Sequence, residues 1–476
     1  MEVRCSRQLI MCAVGVGIIA VALAAGRLGL AGSPGLRIGQ ILLVLIGISC
    51  TVSAAITASA AARERALRLL RSQAVLIIGS TFLGLLLCEI ASLAVEAIEQ
   101  RGKLAQGEQT RNEVKHLLQP VADAKLELRL PAYAGGHDAK GFRNDRVPEK
   151  VSIVAIGDSQ TWGVNASRSE AWPQVLSKLA GQTVYNMGLG SYGPVHYWVL
   201  TDEALELSPR TIVVGLFLGN DLWDAYRMVY SLGIYPQFRK PRVSPDLLID
   251  NVAPRYHETV KQSENFKKDF QGKKEISTRW YDFLRSHSAF ARVFYQRGIW
   301  PASGRHDYED YELNRAWAMA YPDKGAVYEG GSVRTVFMTG QHLLGLDLDD
   351  PRIQEGLRLT KEMLLRIQKK TTGANAKLLV LFIPTKEVVY ADLLQQRNVS
   401  MNATFGKVVA MESRARDEII LLCRGNGIQY VDPLPALRDA IQRDEQVYPW
   451  TGDSHFIPRG YAILAAEVNK SLLRPE

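Results

Sequence analysis

The pattern of apolar and polar positions divides the chain at about residue 98. Before that point, three stretches carry almost no charge: Gln8 to Gly26, Ile38 to Ala62, and Ser72 to Cys88, the last continuing past Glu89 to Val95. Each is long enough to cross a hydrocarbon core of about 30 Å at about 1.5 Å per residue. Beyond it, short apolar runs alternate with amphipathic ones. "VSIVAI" (151–156) predicts a strand, "SEAWPQVLSKLAG" (169–181) a helix ending at Gly181, and "TVYNMG" (183–188) a short strand. "PVHYWVLTDEALEL" predicts a helix and "TIVVGLF" (211–217) a buried strand. Much later, "AKLLVLFI" (376–383) predicts another strand, followed by a helix over "VVAMESRARDEIILLCRGNG" and a strand over "IQYVD". Continuous apolar strands alternating with helices indicate an α/β fold, a parallel sheet covered on both faces. In such sheets ligands bind beyond the C-terminal ends of the strands.

The expected organisation is a three-helix transmembrane anchor (1–98), a linker or stalk (99–140), a first half-domain (141–225), an aromatic-rich insertion (226–369) and a second half-domain (370–476). The anchor's orientation follows from arginine. Arg4 and Arg7 precede the first span, and Arg63, Arg65, Arg68 and Arg71 lie between the second and third. Only Arg27 and Arg37 lie between the first and second. Positively charged loops stay in the cytoplasm. The N-terminus is therefore expected inside and everything after about residue 98 outside, in the periplasm of a two-membrane bacterium. Two further spans argue against a cleaved signal peptide. Glu89 is expected to snorkel to the outer interface, near Glu96 and Glu99. In and just before the insertion, Trp223, Tyr226, Tyr230, Trp280, Tyr281, Trp300, Tyr308, Tyr311, Trp317 and Tyr321 are either sugar-stacking platforms or a small core.

Charge and cysteine content only exclude. The net charge is +8 and the pI about 9.1, but the basic residues form no clustered run, so no nucleic-acid partner is expected. Four of the five cysteines fall in the N-terminal region, and Cys423 stands alone afterwards, so no disulfide framework is expected there. No metal-ligand spacing is present and no cofactor is expected.

The strand ends carry the chemistry. After the first strand comes Gly157-Asp158-Ser159. After the second comes the glycine-rich "NMGLGSYGP" (186–194), and after the third Gly219-Asn220-Asp221. Before the last helix stands "TGDSHFIPRGY", with Asp453 and His455 two apart and so on one side of an extended segment. Each has an ordinary reading: Asp158-Ser159 a helix cap, Asn220-Asp221 a turn, His455 a surface histidine. Together they supply a nucleophile, a base, its orienting carboxylate and oxyanion donors.

"AIGDSQTWG", "NMGLGSYGP", "LGND" and "GDSHFIPRGY" resemble, in order and spacing, the four blocks of the SGNH hydrolases, the GDSL-like esterase superfamily. The likeness covers about 141–225 and 370–474. It implies a three-layer α/β/α, flavodoxin-like domain with Ser159 as nucleophile, His455 as base and Asp453 as its orienter. It also implies an oxyanion hole from the N–H of Ser159, a glycine-loop N–H at Gly190 or Ser191, and the Asn220 side chain. Ser191 stands where the family has glycine. The Asp-X-His block and the Pro-X-Lys segment in "FIPTKEVVY" are similar to the periplasmic polysaccharide O-acetyltransferases of the alginate type. "KGFRND" resembles many envelope-polysaccharide members. The expected activity is that of an esterase on O-acyl groups, with acetyl the expected acyl group, of an exported polysaccharide, envelope glycan or lipid. The alternatives are O-acetyl transfer fed by a membrane acyl-donor partner, and a non-catalytic module of a polysaccharide export complex.

Overall fold

In the computed structural model the described residues are 73–106, 118–240, 266, 288–289, 306–330 and 333–473. The first two expected membrane spans lie outside them. The chain forms two compact units, Met1–Gly102 with Lys273–His306, and Lys103–Gly272 with Asp307–Glu476.

In the first unit, helix α1 (Gln73–Gln106) contains the stretch Ser80–Ile98, with a mean hydropathy of 1.9. It is the one helix among the described residues long and apolar enough to cross a membrane. Leu83, Leu85, Leu87 and Ile90 are exposed along it. Glu89 departs from expectation. Its carboxylate does not reach outward but is buried, accepting from Ser288 Oγ at 2.7 Å and from the Ala289 N–H at 2.6 Å. Burying a carboxylate is costly, and these two donors, about 200 residues away, offset that cost.

The second unit is built on five parallel strands: β3 (Ile153–Gly157), β4 (Val184–Gly188), β5 (Thr211–Phe217), β8 (Lys377–Ile383) and β9 (Gln429–Val431), in the order β4-β3-β5-β8-β9. Alternate residues of each strand feed opposite cores. Val154, Ile156, Ile212, Val214, Val380 and Phe382 pack with helices α4 (Pro194–Leu205), α8 (Pro351–Gly373) and α10 (Ala403–Gly425). Ile153, Ala155, Val213, Leu379 and Leu381 pack with α3 (Trp172–Ala180), α9 (Lys386–Gln396), α11 (Leu434–Gln442) and α12 (Pro458–Leu472). The sheet is thus the middle of three layers. Burial of each such aliphatic side chain contributes about 1.5–3 kcal/mol. In sequence order the strands run 2-1-3-4-5, which reverses direction between β3 and β5, and the crevice at that reversal is where such folds hold ligands.

Two expected boundaries move. The stretch read as stalk folds onto the second unit from residue 118. A hairpin of β1 (Val121–Asp123) and β2 (Glu127–Arg129) places Leu126 and Leu130 in the sheet's core. Strands of three residues leave too little alternation to be recognised. Helix α8, placed inside the insertion, covers the sheet through Leu357, Leu364 and Ile367. The intervening chain adds α6 (His306–Ala320), the hairpin of β6 (Ala326–Gly330) and β7 (Val333–Phe337), and α7 (Thr339–Leu346). Its aromatics are core rather than platforms where their side chains are described; Trp280, Tyr281 and Trp300 lie outside the described residues. Tyr226, Tyr230, Tyr311 and Trp317 are buried, while Trp223 and Tyr321 pack against them half-buried.

Candidate active site

The residues singled out at the strand ends converge. β3 ends at Gly157, and the short helix α2 (Ser159–Trp162) starts almost at once. The turn needs glycine: a Cβ at Gly157 would lie 2.0 Å from Thr161 Oγ1, and one at Gly188 2.5 Å from the Trp162 nitrogen. Helix α2 therefore rests directly on the ends of β3 and β4. Asp158 is its N-cap, its Oδ1 accepting from the Gln160 N–H at 2.9 Å. The capping role expected for the Asp-Ser pair thus falls to Asp158 alone, and Ser159 is released for another contact. Burial pushes the Asp158 carboxyl up to about 6, against the Gln160 N–H and the attraction of His455.

Ser159 Oγ lies 2.8 Å from His455 Nε2, and His455 Nδ1 lies 2.6 Å from Asp453 Oδ1. With the Nδ1 proton donated to Asp453, Nε2 is the acceptor that faces the serine. A second, longer contact from Ser159 Oγ reaches Asp158 Oδ2 at 3.3 Å. Burial works to raise the Asp453 carboxyl, but the hydrogen bond and attraction from His455, with Lys386 adding, hold it well below the usual carboxylate range. In the loop that carries the shortened Asp-X-His spacing, Asp453 Oδ1 also accepts from the His455 main-chain N–H at 2.8 Å.

Of the expected oxyanion donors, Gly190 and Ser191 border the same pocket as the serine. Gly190 faces it, since a Cβ there would stand 3.8 Å from Ser159 Cβ. Ser191 adopts φ +70°, the left-handed conformation that favours glycine, so it keeps the backbone shape that its replacement of glycine put in question. Asn220 occupies the N-cap of α5 (Asp221–Tyr226) but makes no capping bond, so its side chain is spared that structural role. Asp221 is the structural member of that pair, buried and accepting from Tyr197 Oη at 2.8 Å and the Phe217 N–H at 2.9 Å.

Two supporting residues had no sequence signal of their own. Gln160 donates to the Ser454 carbonyl at 3.1 Å, and Asn165 donates to Asp453 Oδ2 at 3.3 Å and the His455 carbonyl at 3.2 Å. Both tie the 453–455 loop to the chain around the serine. Lys386, flagged only by resemblance, is fully buried and donates to the carbonyls of Thr451 at 3.0 Å and Val336 at 3.3 Å. Its neighbours Thr385 and Glu387 bond Glu412 and His342, so "TKE" is a buried polar bracket beneath the loop. The "FRN" segment buttresses the other side. Arg143 donates to the carbonyls of Trp162, Gly163 and Ala166, and Asn144 pairs with the main chain of Asn186. Three further histidines make structural contacts: His137 accepts from Trp162 Nε1 at 2.9 Å, His196 stacks on Tyr192, and His342 pairs with Glu387.

Burial depresses Lys386 to about 8, against the attraction of Asp453 and Glu387. A lysine whose folded pKa lies below its unfolded value contributes stability that is present at high pH and is lost as pH falls through about 8. Lys386→Met leaves two buried carbonyls unpaired, at a cost of about 1–3 kcal/mol. The melting temperature of the full chain in detergent should therefore drop more at pH 10 than at pH 7. An equal drop at both would show that Lys386 does not titrate in this range.

Neither a family model nor a curated protein matches the sequence. Two solved structures show distant likeness. One, from Desulfitobacterium hafniense DCB-2 and described as lipolytic and of the G-D-S-L family, is 11% identical, with 67% of this chain and 99% of that chain covered and a TM-score of 0.31. Another, from Bacteroides fragilis NCTC 9343 and described as an acylhydrolase, is 10% identical, with 68% and 89% covered and a TM-score of 0.27. At these values neither adds to what the site's own geometry supports.

Proposed function

We propose that the chain is a membrane-anchored serine esterase of the SGNH type, acting on O-acyl esters of an exported polysaccharide or envelope glycan. The observation that carries this reading is the Ser159–His455–Asp453 relay at the sheet's reversal point. In it, His455 Nε2 takes the Ser159 proton as Oγ attacks the acyl carbonyl. The oxyanion is held by the N–H groups of Ser159 and of Gly190 or Ser191 and by the Asn220 amide. The imidazolium then returns its proton to the leaving alkoxide as the ester C–O bond breaks. Water, deprotonated by His455, releases the carboxylic acid from Ser159. A glycan hydroxyl in place of that water would make the same site a transferase. A binding module has no need of this alignment. The anchor is supported by α1, and the outward orientation by the arginine distribution.

The test is turnover by the full chain in detergent, with p-nitrophenyl acetate offered alone and with a glycan acceptor. Free acetate in both arms is expected. Acetylated glycan would replace hydrolysis by transfer, and no acyl release in either arm would overturn the reading. For orientation, a reporter active only outside the cytoplasm should work when fused after residue 110 and fail at residue 67. The reverse would remove the basis for an envelope substrate.

A further inference from the structure

A small apolar pocket opens beside Ser159. Its volume is about 130 Å³, and its floor is formed by Ser159, Gly190 and Ser191. Its walls are Leu118, Pro120, Leu128, Leu130, Trp162, Val164 and Leu189, and no charged side chain lines it. The first four of these come from the hairpin region that precedes the SGNH-like blocks. The hairpin is fixed in place. Arg227 forks onto the Glu127 carboxylate at 2.7 and 2.8 Å, and Arg129 pairs with Glu203. Tyr192 Oη, from the loop that carries Gly190 and Ser191, donates to the Leu128 carbonyl at 3.0 Å. Bidentate arginine–carboxylate pairs add geometric definition as well as energy. The pocket's width is therefore set by a wall rather than by a mobile lid.

Resting on the esterase reading, we propose that this pocket binds the acyl chain of the substrate and that it selects uncharged chains of about four to six carbons over acetyl. An apolar cavity of about 150 Å³ holds a benzene molecule, six carbons, so a pocket of this size has room for a comparable chain. Acetyl would leave most of it empty. The position suits the role. A carbonyl carbon attacked by Ser159, with its oxygen toward Gly190 and Ser191, directs its alkyl tail into the space those residues border.

The experiment is a chain-length series with the full chain in detergent, using p-nitrophenyl acetate, butyrate, hexanoate and decanoate. Each buried methylene should raise kcat/KM about fourfold, so butyrate should exceed acetate by roughly tenfold or more. Decanoate should fall below hexanoate, since its chain outruns the pocket. Leu128→Trp fills the pocket and should lower the butyrate-to-acetate ratio toward one. Leu128→Ala enlarges it and should raise the decanoate-to-butyrate ratio. A change in the ratio of rates on two esters, as distinct from a common loss of rate on both, cannot come from misfolding alone. Acetate preferred by the wild type, or ratios unmoved in both variants, overturns the pocket assignment and leaves the esterase reading intact. Failure of the wild type on every ester overturns both.

Discussion

Ser159→Ala is expected to abolish ester turnover, with a loss on the order of 10⁴-fold or more, the scale seen when a serine nucleophile is removed from a triad. The fold should survive. Ser159 Oγ contacts only His455 and Asp158, and the cap of α2 is supplied by Asp158. The variant's melting temperature should stay close to that of the wild type. A fluorophosphonate probe should label the wild-type chain at Ser159 and leave the variant unlabelled. Labelling of another serine would remove Ser159 from the reaction and the esterase reading with it.

Asp453→Asn should lower kcat by up to about 10⁴-fold, because the amide favours the wrong imidazole tautomer while keeping the side chain's shape. Here Asp453 accepts from both the ring Nδ1 and the main-chain N–H of His455. Asparagine can replace the second of these bonds but offers no charge to the first. His455→Ala should cost at least as much, and the double variant little more, since the residues act as a unit. A loss of only a few-fold in Asp453→Asn would reduce the relay to a Ser159–His455 pair. The acid side of the profile is constrained too. A carboxyl held below its unfolded pKa contributes stability that is present above about 3.8 and is lost only as pH falls through the folded value. Any acid limb of kcat above pH 4 must therefore belong to a group other than Asp453.

Legibility in the sequence followed how local each signal was. β5 and β8 are continuous apolar runs because both their faces are covered, and their bounds matched closely, Thr211–Phe217 and Lys377–Ile383. Helix α8 was hidden by buried charge. Arg352 pairs with Asp350, and Glu355 accepts from Tyr230 and Arg358, so positions that face the interior read as polar. The insertion's aromatics stayed open between platforms and core because composition cannot tell a ring that faces solvent from one that packs on its neighbour, as Tyr226 does on Tyr230. Glu89 looked like an interfacial side chain because its partners, Ser288 and Ala289, are remote in the chain.

By itself the sequence determined the five strands of the parallel sheet, which polar residues stand at their ends, and that Asp453 and His455 share one side of a short loop. These depend on periodicity and on spacings of a few residues, which burial and chain stereochemistry fix locally. Only the tertiary structure decided that Ser159 meets His455 across 296 positions, that Gln160, Asn165 and Lys386 hold the loop between them, and that a hairpin taken for linker closes the pocket beside the serine. Parallel strand pairing and buried polar contacts of this kind join residues far apart in the chain. Each contributes little until the whole sheet has formed, so no short window of sequence carries its signature.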